Sequence, residues 1–351
     1  MTCYLHIGTE KTGTTSIQDF LLQNHNLLLN YGKYYSKKLL KHNVHLWIIE
    51  LVFDFYTRNI IDERAINLEI LNNKKYEILL NEIFLYKNKD FIFSCEIICR
   101  DFFHEKHIII LKNIFKILGF TKIFVILYIR EISSFIESYA SQNIKGGAYF
   151  NSDEIMAYNH PSIYSFNVAE IIKIYLKYFK KEDLIIRLFS KNEFHQGCLL
   201  RDFLYVLNLK SNDDFIIPKK RNESLNLIGM EILKRINSFH SHSFNIKLPH
   251  NVIKSNILRN DCSYFISKHF CTIQSGLKFQ PKKEIIQSYI DFFEESSEWI
   301  RKEFFPHKER LFPKKDLSNY KENYELKEMK PEYWDKIAKF IADIVKTKNQ
   351  T

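Results

Sequence analysis

The chain of 351 residues is long enough to bury a full core, as one large domain or two modest ones. Its 46% apolar and 26% charged residues exclude a disordered or collagen-like polymer. Lys and Arg number 51 against 41 Asp and Glu, a formal charge of +10 that favours anionic partners without choosing among nucleic acid, nucleotide, acidic glycan and anionic lipid.

No apolar run approaches the roughly 18 residues of a membrane helix, and Met1 to Ile7 is interrupted too soon by Glu10 and Lys11 for a secretory signal. A soluble, cytoplasmic chain is the expectation. The six cysteines (Cys3, Cys95, Cys99, Cys198, Cys262 and Cys271) are scattered, three of them inside apolar runs. They read as reduced thiols rather than a disulfide framework, and Cys95-x-x-x-Cys99 lacks a second pair at zinc spacing, so no metal site is expected.

The run Thr2 to Ile7 leans towards a strand and ends at Gly8. Average composition would give about 25 glycines in this length; the chain has 9, and two of them, Gly8 and Gly13, bound the polar loop that follows. Thr14 or Thr15 then caps a helix carrying Ile17, Phe20, Leu21 and Leu22. Residues 34 to 90 read as helical without clean boundaries. Strands are predicted at Phe91 to Ser94, at the nearly unbroken apolar run Ile123 to Ile129, and at Leu184 to Leu188. A helix after Arg130, an amphipathic stretch from Val168 to Phe179, and helical patterns at Leu225 to Ile236, Lys283 to Phe304 and Trp334 to Val345 complete the pattern. Gly146-Gly147 and the polar stretch to Asn159 suggest an exposed loop. Short strands alternating with helices predict an α/β fold: a mostly parallel, P-loop-like central sheet flanked by helices, with a helical C-terminal region. The simplest organisation is one domain over residues 1–351, its core to about 240 and a helical cover from about 241.

Gly8 to Thr15 carries the chemistry. A strand that delivers a glycine-bounded loop into a helix start gathers backbone N–H groups around one point, and the helix dipole adds positive potential. A phosphate fits there, with Lys11 adding charge and Thr12, Thr14 and Thr15 adding hydroxyls. The spacing Gly8…Gly13 matches a Walker A loop, but Thr14 follows the second glycine and the lysine sits inside, which counts against an ATPase or GTPase.

The stretch His6-Ile7-Gly8-Thr9-Glu10-Lys11-Thr12-Gly13-Thr14-Thr15-Ser16 resembles the 5′-phosphosulfate loop of sulfotransferases that use 3′-phosphoadenosine-5′-phosphosulfate (PAPS). A strand ending in Arg130, with Ser138 eight residues on, is similar to the family's 3′-phosphate signature, and Arg130 offers a planar fork of donors. Leu184 to Phe189 and the segment from Arg201 to an Asn222-Glu223-Ser224-Leu225 box resemble the bacterial, carbohydrate-type branch. The resemblance covers about residues 1–30 and 90–240. It implies PAPS as sulfuryl donor without a metal, and a nucleotide held by Lys11, Thr12, Gly13, Thr14, Thr15, Ser16, Arg130, Ser138 and Arg221, the last from Lys219-Lys220-Arg221. It implies a hydroxyl- or amine-bearing acceptor, a carbohydrate or glycolipid. Lys11 would stand at the bridging oxygen. For the general base, Glu96 occupies the family position, and His42 and His45, three apart and on one face of a helix if that segment is helical, are alternatives. The rival readings are a P-loop kinase or NTPase and a basic nucleic-acid-binding module. The second lacks any DNA or RNA recognition motif, so no nucleic-acid partner is expected.

Overall fold

The structure, a computed structural model, describes residues 1–145, 167–212, 214–218, 224–243, 265–271 and 277–349, with side chains 239–243 excepted. It is α/β, with five parallel strands in the order β2-β3-β1-β4-β5. In chain order these are β1 (Thr2–Gly8), β2 (Lys33–Tyr35), β3 (Asp90–Ser94), β4 (Lys122–Ile129) and β5 (Leu184–Leu188). The helices are α1 (Thr14–Gln23), α2 (His25–Asn30), α3 (Trp47–Thr57), α4 (Glu63–Leu71), α5 (Lys74–Leu85), α6 (Ile97–Asp101), α7 (Glu105–Ile117), α8 (Ile132–Lys145), α9 (Val168–Leu176), α10 (Leu199–Val206), α11 (Leu227–Ser243), α12 (Lys283–Phe304) and α13 (Pro331–Lys348), with a further helical segment at residues 265–270. Among the described residues no helix is long and apolar enough to cross a membrane.

Two compact units are present. The first comprises Met1–Glu131, Ser162–Lys220 and Glu295–Leu311, and holds the whole sheet. The second comprises Ile132–Pro161, Arg221–Glu294 and Phe312–Thr351, and its described elements are helices joined by irregular segments.

Strand alternation sorts the core of the first unit. Tyr4, Ile92, Ile126 and Tyr128 face α1 and α10 through Ile17, Phe20, Leu21, Leu200, Phe203 and Leu204, all buried. On the opposite face Phe93 meets Trp47 of α3 and Phe115 of α7, with ring centroids 5.8 and 5.4 Å away. Strands buried on both faces need continuous apolar sequence, which is why β1, β3 and β4 stand out in the chain.

The segment read as helical from 34 to 90 is instead a short strand and three helices. β2 has only three residues, too few for an alternation to register, and it pairs with β3 through Lys33↔Asp90 and Tyr35↔Ile92. Neither Thr14 nor Thr15 caps α1: Gly13 stands at that position in a left-handed conformation (φ 74°), and no side chain caps the helix. The Gly146-Gly147 stretch lies outside the described residues.

Candidate functional site

The strand order places the candidate loop. From β1 the chain runs out to β2 on one side, and from β4 it runs to β5 on the other. β1 and β4 are therefore the neighbours at which winding reverses, and in open α/β sheets ligands bind beyond the carboxyl ends of such a pair. Residues 8–13 leave β1 at that point, and Arg130 leaves β4.

The loop is stitched to β4. The Thr9 N–H and hydroxyl both donate to the Tyr128 carbonyl, at 3.0 and 3.1 Å. Arg130 Nη1 donates to the Lys11 carbonyl at 2.7 Å, and its guanidinium lies 5.4 Å from the Phe189 ring centroid. Within the loop the buried Thr12 hydroxyl donates to the Thr9 carbonyl at 2.5 Å, so it is spent there rather than offered to a ligand. Lys11 and Gly13 both hold positive φ, 63° and 74°. Left-handed residues alternating with ordinary ones turn successive N–H groups inwards as an anion nest. A Cβ at Gly13 would also stand 2.4 Å from Leu199 Cδ2, which would have to move aside. After it the N–H groups of Thr14, Thr15 and Ser16 open α1, where helix geometry supplies no acceptor, and the first intrahelical bond runs from Ile17 N–H to the Gly13 carbonyl at 3.1 Å.

Glu96 sits at the foot of this loop. It starts α6 directly beyond β3, and its Cβ would lie 3.0 Å from a Cβ on Gly8. Gln18, buried on α1, donates through Nε2 to Glu96 Oε2 at 2.9 Å and to the Ser94 hydroxyl at 3.1 Å. The Ser94 hydroxyl also meets His6 Nδ1 at 2.9 Å. His6 is fully buried, and burial lowers its pKa to about 3, so the ring is neutral. On the loop itself Glu10 takes a 3.1 Å bond from Arg100 Nη1, and Arg100 also grips Asp101 through Nε at 2.6 Å. Burial raises the Glu10 carboxyl above its ordinary pKa, against the pull of Arg100.

The two candidate histidines are placed differently from one another. His45 is fully buried and both ring nitrogens are committed: Nδ1 accepts from the Ser94 N–H at 3.0 Å and Nε2 donates to the Ser36 carbonyl at 3.0 Å. Burial lowers its pKa to about 4. It pins the β2–α3 connection to the end of β3. His42 and His45 do not share a helical face, because Lys41 and Val44 close a tight turn in which His42 has φ 51°. His42 is exposed.

Ser138 belongs to α8 of the second unit and is buried. Arg221, with Lys219 and Lys220, lies outside the described residues. Among the described residues no group of three or more His, Cys, Asp or Glu could hold a metal ion.

Two features escaped the sequence reading. Gln18 lies within the buried run Ile17 to Leu21 and touches Glu96, a partner that only the fold brings to it. The other is Asp202, fully buried, which accepts from Tyr128 Oη at 2.8 Å, from Arg187 Nε at 3.0 Å and from the His195 N–H at 2.7 Å, while Arg187 Nη2 pairs with its other oxygen. This ties α10, whose Leu199 packs on Gly13, to β4 and β5.

No protein-family model matches the chain, and no curated protein matches it.

Proposed function

We propose that the chain is a PAPS-dependent sulfotransferase acting on a hydroxyl-bearing acceptor, a carbohydrate or glycolipid. The observation that carries this reading is the meeting of Arg130 with the lysine-bearing loop at the sheet's point of reversed winding. The strand order and a phosphate nest would equally suit a nucleoside triphosphatase. What separates the two is the lysine inside the loop rather than after Gly13, and a guanidinium beside that loop.

Sulfuryl transfer, like phosphoryl transfer, asks mainly for positioning and for charge where it develops. The acceptor oxygen attacks sulfur in line. The bond from sulfur to the bridging oxygen breaks, and its electron pair leaves on the 5′-phosphate of 3′-phosphoadenosine-5′-phosphate (PAP). The N–H groups opening α1 hold that phosphate, and the Lys11 ammonium compensates charge on the bridging oxygen. Arg130 takes the 3′-phosphate, a role the resemblance shares with Ser138, and Arg221 is a further phosphate contact by the same resemblance. Glu96 accepts the acceptor's proton, with Gln18 fixing one carboxylate oxygen so that the other faces the acceptor.

Thermal shift with PAP, ADP and Mg²⁺-ATP tests the assignment. PAP raises the melting temperature by a few degrees more than ADP does, and Arg130→Ala removes the difference. Equal effects of PAP and ADP, or Mg²⁺-dependent ATP turnover, contradict it.

A further inference from the structure

Among the described residues, helix α13 is seated within the second unit through Phe340 and Asp343. Phe340 packs against Phe270 and His269 of the segment 265–270, with ring centroids 5.6 and 6.0 Å apart. Asp343 accepts from Lys268 Nζ at 2.7 Å and His269 Nε2 at 2.8 Å. At about 100° per residue, Trp334, Ala338, Ile341 and Val345 align on another side, with Ala342 beside them. Trp334 is 59% exposed, Ile341 52% and Val345 53%. A surface helix ordinarily turns such a stripe to the core.

Charge identifies what would cover it. Exposed Lys330 and Lys348 lie along one edge of the stripe, and past Ala342 on the other come Asp335, Lys346, Lys339 and Glu332, a surplus of lysine over acid around it. A second copy would set lysine against lysine, and five side chains fall far short of the roughly 20–30 residues a side of a stable protein interface. A nucleic acid would use the lysines but leave the tryptophan and aliphatic groups in water. An anionic bilayer satisfies both, lysines at lipid phosphates and the stripe at the headgroup–acyl boundary, where tryptophan is favoured.

We infer that α13 docks the chain on anionic membrane surfaces, lying in the interface plane with Trp334, Ile341 and Val345 inserted. The inference stands independently of the sulfotransferase reading.

The test is co-sedimentation of the full chain with phosphatidylcholine vesicles, with and without phosphatidylglycerol. The chain binds the phosphatidylglycerol vesicles, more weakly as salt rises, and leaves phosphatidylcholine alone. Trp334→Ser with Ile341→Ser, and separately Lys339→Glu with Lys346→Glu, each weaken binding roughly tenfold or more. Leu68→Ser with Phe84→Ser, equally exposed on α4 and α5, leaves it unchanged. Circular dichroism identifies any variant that does not fold, and the other pair then carries the comparison. Absence of binding to phosphatidylglycerol vesicles, or binding that survives both α13 pairs, overturns the inference. So does light scattering that finds a dimer broken by the Trp334/Ile341 pair.

Discussion

Arg130 Nη1 donates a 2.7 Å hydrogen bond to the carbonyl of Lys11, a residue 119 positions earlier in the chain. With the paired bonds of Thr9 to the Tyr128 carbonyl, it ties the loop after β1 to the end of β4. Preorganisation of this kind lowers the ordering cost of binding.

Gly13 is constrained twice over, holding φ 74° and leaving a Cβ only 2.4 Å from Leu199 Cδ2. Gly13→Ala is expected to destabilise the chain by about 2–3 kcal/mol, from backbone strain and overpacking together. Adding Leu199→Ala recovers the packing part but not the φ part. Urea denaturation of the single and double variants checks this; equal stability of Gly13→Ala and the wild type contradicts it.

Asp202 and Arg187 form a buried pair whose value lies in both members being present. Asp202→Ala leaves the half-buried guanidinium uncompensated and should cost about 3–5 kcal/mol. Replacing both, as Asp202→Leu with Arg187→Met, should cost clearly less than the single change. A double variant less stable than Asp202→Ala would show that the pair acts otherwise.

His6 and His45 are buried neutral, with pKa values near 3 and 4 against an ordinary 6.5. A lowered pKa in the folded state means that the unfolded chain binds protons first as pH falls. Their contribution is therefore complete above about pH 6.5 and is lost progressively towards pH 4, at about 1.4 kcal/mol per pH unit for each ring. Glu10, with its pKa raised, contributes oppositely: its share is present at low pH and lost as pH rises above the ordinary carboxylate range. Burial also lowers His107 to about 4 and lowers His25, so the rings outweigh the one raised carboxyl and chemical denaturation should report a steep loss of stability between pH 6.5 and 5. His45→Gln, although less stable at neutral pH, should show a shallower slope. An unchanged slope would mean that His45 is not held neutral.

Glu96→Gln separates binding from chemistry. PAP should stabilise this variant as it does the wild type, while transfer from labelled PAPS to an acceptor found by screening glycans, lipid-linked sugars and phenols falls about 100-fold or more. Undiminished transfer removes Glu96 as the base.

The sheet was legible wherever a strand is buried on both faces, because a short, continuous β-branched and aromatic run fits a central strand better than an amphipathic helix. β4 and β5 lie within a residue of where that pattern puts them. β2 was not legible, since three residues carry no period and its place depends on pairing with β3. The loop could be read from Gly8, Lys11 and Gly13 because backbone conformations that need glycine leave a mark in a chain short of it. His45 misled for the opposite reason. A histidine satisfied by two backbone groups looks, in sequence, like one awaiting a substrate. Gln18 and Asp202 were invisible because their roles come from Glu96, Ser94, Tyr128 and Arg187, residues brought to them only by the fold.

The most direct measurement is calorimetric titration of wild type and Arg130→Ala with PAP and with ADP. Tighter binding of PAP by the wild type, reduced in the variant to the level of ADP while ADP affinity is preserved, is the predicted result. Indistinguishable affinities for the two nucleotides in the wild type would mean that Arg130 reads no 3′-phosphate and that the loop serves another ligand.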